Sequence, residues 1–203
     1  MSPLDRRTAL KLLGVTPFMG TLDWSPEEID RAALHVQTLP ATVYTPLFFT
    51  EHEWQTVHVL ADLIIPRDDR SGSATDAKTP EFIDFILNES SEGRQTSIRR
   101  GLAWLDEESR GRFGLTFQAA TDAQRRQILD DIAWPARAPE RLAAGVSFFN
   151  SFRDLVAAGF FSSKIGYDDL QYMGNQALRE FPGCPEPALR KLDVSYDLIP
   201  ERR

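Results

Sequence analysis

The chain has 203 residues, 42% of them hydrophobic and 26% charged. These proportions describe a folded globular protein of about one domain, and neither a disordered chain nor a membrane-embedded body. A formal net charge of -7 excludes the usual nucleic-acid binder, which draws its affinity from Lys and Arg against phosphates. The single cysteine, Cys184, leaves no internal disulfide, no cysteine-based metal site and no iron–sulfur cluster, and C-x-x-C-H for covalent haem does not occur.

In chain order, Asp5-Arg6-Arg7-Thr8-Ala9-Leu10-Lys11 is followed by a stretch uncharged until Asp23. About eleven moderately apolar residues broken by Pro17 cannot cross a bilayer core of about 30 Å, so no membrane span is expected. Arg6, Arg7, Leu10 and Lys11 form an Arg-Arg-x-x-Leu-Lys core that resembles a bacterial twin-arginine export signal. Ala9 stands where such signals usually carry Phe, and no A-x-A-like site follows. Residues 1–24 are therefore read as a signal segment whose cleavage the sequence leaves open, with the twin-arginine translocase as partner.

Ser25-Pro26-Glu27-Glu28 places a cap, a first-turn Pro and two acids at a helix start, and Pro40 stops that helix. Pro40 to Pro46 reads as a linker. Thr50 to Glu53 is a capping box, after which Trp54, Val57, His58, Ala61, Ile64 and Ile65 recur at helical spacing until Pro66. Arg67 to Thr79 has no apolar period and reads as an exposed loop. Thr79-Pro80-Glu81 opens a further helix with Phe82, Ile83, Phe85, Ile86 and Leu87 as its apolar face.

Ile98, Leu102 and Leu105 mark another helix, ended by Gly111 and Gly114, and Thr121-Asp122 caps one that carries Ile128, Leu129 and Ile132 up to Pro135. Pro139 starts the most apolar helix. Its two stripes, Leu142, Val146, Phe149 and Val156 beside Phe148, Phe152 and Leu155, predict a central element covered nearly all round. Gly159 to Ser163 should break it, with short helices at Asp168 to Leu178 and near Ala188 to Leu192. The expected fold is an all-α, single-domain irregular helical bundle over residues 25–181, followed by an extended Pro-rich tail over 182–203.

Chemistry is sparse. His52 and His58 are six residues apart, turned by about 240° on a helix, so they cannot share a zinc ion. Asp68, Asp69 and Asp76 lack the spacing of a calcium loop. No G-x-S-x-G, no phosphate-cradling glycine motif and no strand-borne G-x-G-x-x-G is present. No catalytic, cofactor-binding or metal-binding residue is assigned, and no cofactor of the chain's own is expected.

Four stretches carry a resemblance: the Arg6–Lys11 segment; Phe49-Thr50 through Ala61-Asp62-Leu63-Ile64-Ile65-Pro66 with the acidic loop after it; Thr79 through Asp84; and Phe149 through Tyr167, with Leu170 to Asn175. With Phe181 to Pro185 they span most of the chain, which resembles the gluconate 2-dehydrogenase subunit 3 family. The resemblance implies a non-catalytic small (gamma) subunit of a periplasmic FAD-dependent sugar or glucoside dehydrogenase complex. It implies as partners a catalytic flavoprotein of the glucose–methanol–choline (GMC) type, which carries the FAD, and a cytochrome c subunit with haem c, through which the complex is associated with the membrane. The small subunit would help the flavoprotein mature and lend it the export signal. Pro66, Phe82, Gly166, Tyr172 and Gly174 have ordinary structural explanations as helix stops, core and turn formers. The interface candidates are Phe160, Phe161, Tyr167 and Tyr172, because aromatic anchors are enriched at hot spots. The rival readings are a free-standing helical enzyme using His58 or the Asp68–Asp69 loop, and a ligand-binding module.

Overall fold

Some helix starts in this chain are set by side chains that reach back to bare backbone amides. The computed structural model describes residues 24–40, 44–171 and 183–195, and such caps open several of its helices. Ser25 Oγ accepts from Glu28 N, and Glu28 returns a carboxylate to Ser25 N, starting α1 (Pro26–Thr38). Thr50 and Glu53 form the same reciprocal pair at α2 (Glu51–Ile64), and Thr121 and Gln124 at α5 (Asp122–Ile132). Each cap satisfies amides that have no partner within the helix, worth about 1 kcal/mol. Between them lie α3 (Thr79–Asn88) and α4 (Glu92–Phe113), the latter ended by Gly114 at φ +72°, a left-handed conformation that glycine adopts without a side-chain penalty.

A 3-10 turn, Glu140–Leu142, leads into α6 (Ala143–Phe161). Helices α1 to α5, the 3-10 turn and the short α7 (Lys164–Asp169) all pack against α6. The central helix read from the two apolar stripes is therefore the centre of the bundle. Phe152, Leu155 and Val156 are fully buried there, and Phe148 and Phe149 nearly so. Every described element is helical or irregular, with no strand among the described residues.

Close packing on α6 depends on three glycines. A Cβ at Gly101 of α4 would overlap the Phe148 ring, one at Gly145 of α6 would overlap Trp104, and one at Gly159 would come within 2.8 Å of Phe82. The first two form a reciprocal seam in which each helix gives a glycine to receive the other's aromatic ring. Interiors packed this densely do not absorb an added methyl group without displacement.

Three expectations change. The second half of the Arg67–Thr79 loop is partly buried: Ser73, Ala74 and Ala77 are buried while Asp76 stays exposed, Ala74 N bonds to Ile65 O, and Thr79 N bonds to Ala74 O. Small residues carry no period, so their burial left no pattern to read. Helix α6 runs through Gly159, Phe160 and Phe161 before it stops. The next helix starts at Lys164 rather than Asp168, because Ser163 Oγ accepts from Gly166 N. The rest of the Asp168–Leu178 helix falls on residues 172–182, outside the described residues.

The backbone divides into two units, Met1–Tyr172 and Met173–Arg203. The described part of the second holds α8 (Glu186–Leu192), the helix expected near Ala188 to Leu192, and none of its residues is buried. No helix among the described residues is long and apolar enough to cross a membrane.

Candidate functional site

The C-terminal end of α6 and the α7 turn hold most of the aromatics singled out above. Phe160 and Phe161 meet edge to face, with centroids 5.2 Å apart. Their exposures differ sharply: Phe160 is 1% exposed and Phe161 39%. Phe160 thus belongs to the core and is not a free surface anchor. Gly166 packs on the backbone of this pair so closely that a Cβ there would overlap the Phe160 carbonyl and come within 2.7 Å of Phe161 Cα.

Tyr167 is 45% exposed and Leu170, which had not been singled out, 58%. Three large apolar side chains therefore lie at the surface within ten residues. Leu170 could not be seen as part of this patch while it was assigned to a helix starting at Asp168. Arg70 fastens the patch to the preceding loop: its guanidinium donates to Asp169 O at 2.8 Å and lies 3.3 Å from Asp169 Oδ1. Tyr172 and the signal residues Arg6, Arg7, Leu10 and Lys11 lie outside the described residues.

Two buried aspartates were missed by sequence reasoning. Asp84, on the apolar helix α3, has no exposed surface and accepts four hydrogen bonds: from Tyr44 Oη at 2.8 Å, Leu47 N at 2.7 Å, and Phe48 N and Phe49 N at 3.0 Å each. It holds the segment that leads into α2, so its acceptor sites are used by the fold itself. Burial, with the Asp84 carboxylate beside it, pushes the Tyr44 hydroxyl far above the ordinary phenol range. Asp106 of α4 accepts from Phe117 N at 2.9 Å through one oxygen, while the other meets His52 Nε2 at 2.6 Å and Arg110 at 3.3 Å.

The Asp106–His52 pair has the contact of a catalytic dyad and lines a cleft of about 280 Å³. Its geometry is that of a tie between α2 and α4: the nearest hydroxyl in its own helix, Thr56 Oγ1, is turned onto the His52 carbonyl at 2.9 Å. His58 faces elsewhere, with Nδ1 3.0 Å from Trp54 O and its ring edge-on to Trp54 at 4.3 Å. His35 stacks on Phe85 at 4.0 Å.

The loop carboxylates are engaged locally. Asp68 Oδ1 accepts from Arg70 N and Ser71 N, and Asp76 Oδ2 accepts from Ser73 N and pairs with Arg67. Those amides, foremost Ser71 N at Asp68 and Ser73 N at Asp76, hold both carboxyls below the usual range. Among the described residues no three His, Cys, Asp or Glu side chains converge as metal ligands would.

Among the described residues, Glu81 is the carboxylate pushed the other way. Burial raises it, although its own backbone amide, then His58 and Lys78, oppose the shift, and its Oε2 is buried without a hydrogen-bond partner.

A helical bundle wrapped on one apolar helix, with Asp84 and Asp106 committed to holding loops and helices together, defines a domain that exposes Phe161, Tyr167 and Leu170 within one ten-residue stretch. The chain belongs to the gluconate 2-dehydrogenase subunit 3 family, whose model matches residues 51–183. That family is one of subunits of a dehydrogenase complex, which implies catalytic partners. Comparison with curated proteins and with solved structures finds no match.

Proposed function

We propose that this chain is the non-catalytic small subunit of a periplasmic FAD-dependent sugar or glucoside dehydrogenase complex. In this reading it stabilises a GMC-type flavoprotein during maturation and lends it the Arg6–Arg7 signal for twin-arginine export, and a cytochrome c subunit takes up the electrons. The observation that carries the reading is the family match over residues 51–183. The exposure of Phe161, Tyr167 and Leu170 within ten residues supports it, because exposed aromatic and aliphatic side chains close in sequence suit a protein partner.

The chemistry belongs to the partner. FAD bound to the flavoprotein would supply the hydride-accepting chemistry toward a CH–OH group, and this chain contributes surface. The test is to co-express the full chain with the flavoprotein and replace Arg6 and Arg7 with Lys. The reading expects dehydrogenase activity to stay in the cytoplasmic fraction; unchanged periplasmic activity would overturn the escort role.

A further inference from the structure

One face of α4 borders a groove of about 830 Å³ whose other wall is α6, with Trp104 and Phe148 among the residues that line it. Two charges on that face, Arg100 and Glu107, are exposed, and neither has an ion pair or side-chain hydrogen bond with a described residue. The charges around them are committed: Arg99 to Glu53 and the Phe48 carbonyl, Asp106 to His52 and Arg110, Glu108 to Arg112. Arg100 and Glu107 lie seven residues apart, which puts them two turns and about 10 Å apart along the same side of the helix.

We propose that this face pairs with the same face of a second copy of the chain, α4 running antiparallel to its counterpart about a two-fold axis between Ala103 and Trp104. An axis at that point sets Arg100 of each copy opposite Glu107 of the other, so the ion pair forms twice, and it sets the small Ala103 opposite Trp104. A face that carries both signs in an order matched by its own reversal is complementary to itself. That self-match points to a second copy rather than to a different chain.

The charges also select the register. A slide of one turn in one direction sets Arg100 against Arg110 of the other copy, and a slide of one turn in the other leaves Arg100 against Ala103 and Glu107 against Thr96. In the proposed register no two like charges of α4 face each other. Small side chains let the backbones approach: Gly93, Thr96, Ser97 and Ala103 on α4, with Ala144 and Ser147 as the shoulder on α6. Trp104, half-buried at the centre, is the kind of side chain that carries interface energy, and the two Arg–Glu pairs flank it. The inference is independent of the dehydrogenase reading.

The test uses the purified full chain. Sedimentation equilibrium should give the mass of a dimer. Arg100→Glu and Glu107→Arg should each weaken it by about tenfold or more, because each creates a like-charge contact twice. The double variant Arg100→Glu, Glu107→Arg exchanges the signs and should return the dissociation constant to within about threefold of the starting chain. Ala103→Cys in a Cys184→Ser background, which leaves the charges alone, should be joined to a second copy by a short bismaleimide, and Gln127→Cys on α5 should not. All four substituted positions on α4 and α5 are exposed, and circular dichroism verifies the fold of each variant. A monomer at every concentration, a double variant as weak as the single ones, or crosslinking that is equal at positions 103 and 127 or reaches only a co-purified protein would overturn the proposal.

Discussion

Tyr44 Oη lies 2.8 Å from Asp84 Oδ2, joining the segment before α2 to a fully buried carboxylate on α3 across forty residues of sequence. The same carboxylate takes three backbone amides, so it behaves as a hub with one replaceable spoke. Tyr44→Phe removes the spoke and should cost about 1 kcal/mol, whereas Asp84→Asn turns an acceptor into a donor facing amides and should cost at least about 2 kcal/mol. Urea unfolding of both variants checks the ordering, and equal losses would mean that the amide contacts carry little.

The α4–α6 seam predicts a pair of matched losses. Gly101→Ala drives a methyl into Phe148 and Gly145→Ala drives one into Trp104. Each should destabilise by about 1–3 kcal/mol, although alanine is the better helix former by about 1 kcal/mol. A stabilised variant in thermal unfolding would show that the helices can move apart at no cost.

The titrating groups divide by sign. Glu28, Asp68 and Asp76 are held below the usual carboxylate range, foremost by backbone amides, so their contributions are complete above the unfolded pKa and fade as pH falls through the folded one. Glu81 is raised by burial, so its effect is reversed: it is harmless below the unfolded pKa and destabilising once pH rises through the folded value. Glu81→Gln should therefore raise Tm at pH 7, by a margin that shrinks toward pH 4. A lower Tm for the Gln variant at pH 7 would refute the account of a carboxylate destabilised by burial.

The surface patch separates binding from folding. Phe161→Ser, Tyr167→Ser and Leu170→Ser together should lower the recovery of the flavoprotein in co-purification by about tenfold or more, a loss of about 1.4 kcal/mol, with the isolated chain's helical circular dichroism intact. Phe160→Ala instead should destabilise the chain by about 3 kcal/mol, since that ring is core. Unchanged recovery with the triple variant would move the docking surface elsewhere.

Much of this fold was legible in local chemistry. The cap at Ser25, the capping box at Thr50 and Glu53, and the stops at Pro40, Pro66 and Pro135 are short-range signals, and the two stripes of α6 announce a helix covered all round. Asp84 was illegible because a carboxylate between Ile83 and Phe85 reads as the solvent side of an amphipathic helix. Its four donors come from a segment about forty residues earlier, which no periodicity reports. Phe160 and Phe161 are equal in composition, and only the rotation of α6 buries one and leaves the other part-exposed. Of the aromatics read as anchors from the sequence, Phe161 and Tyr167 stand at the surface and Phe160 does not, and Leu170 is exposed a few residues on, differences that composition does not report.

The central claim, that this chain acts as a subunit of a flavin-dependent dehydrogenase and not alone, is tested most directly by affinity isolation of the tagged full chain from the cell that makes it. The account predicts a stoichiometric partner with the absorbance of bound FAD and sugar-oxidising activity in the complex, and none in the chain stripped of that partner. Recovery of the chain alone with such activity of its own, or of a complex without any flavoprotein, would contradict it.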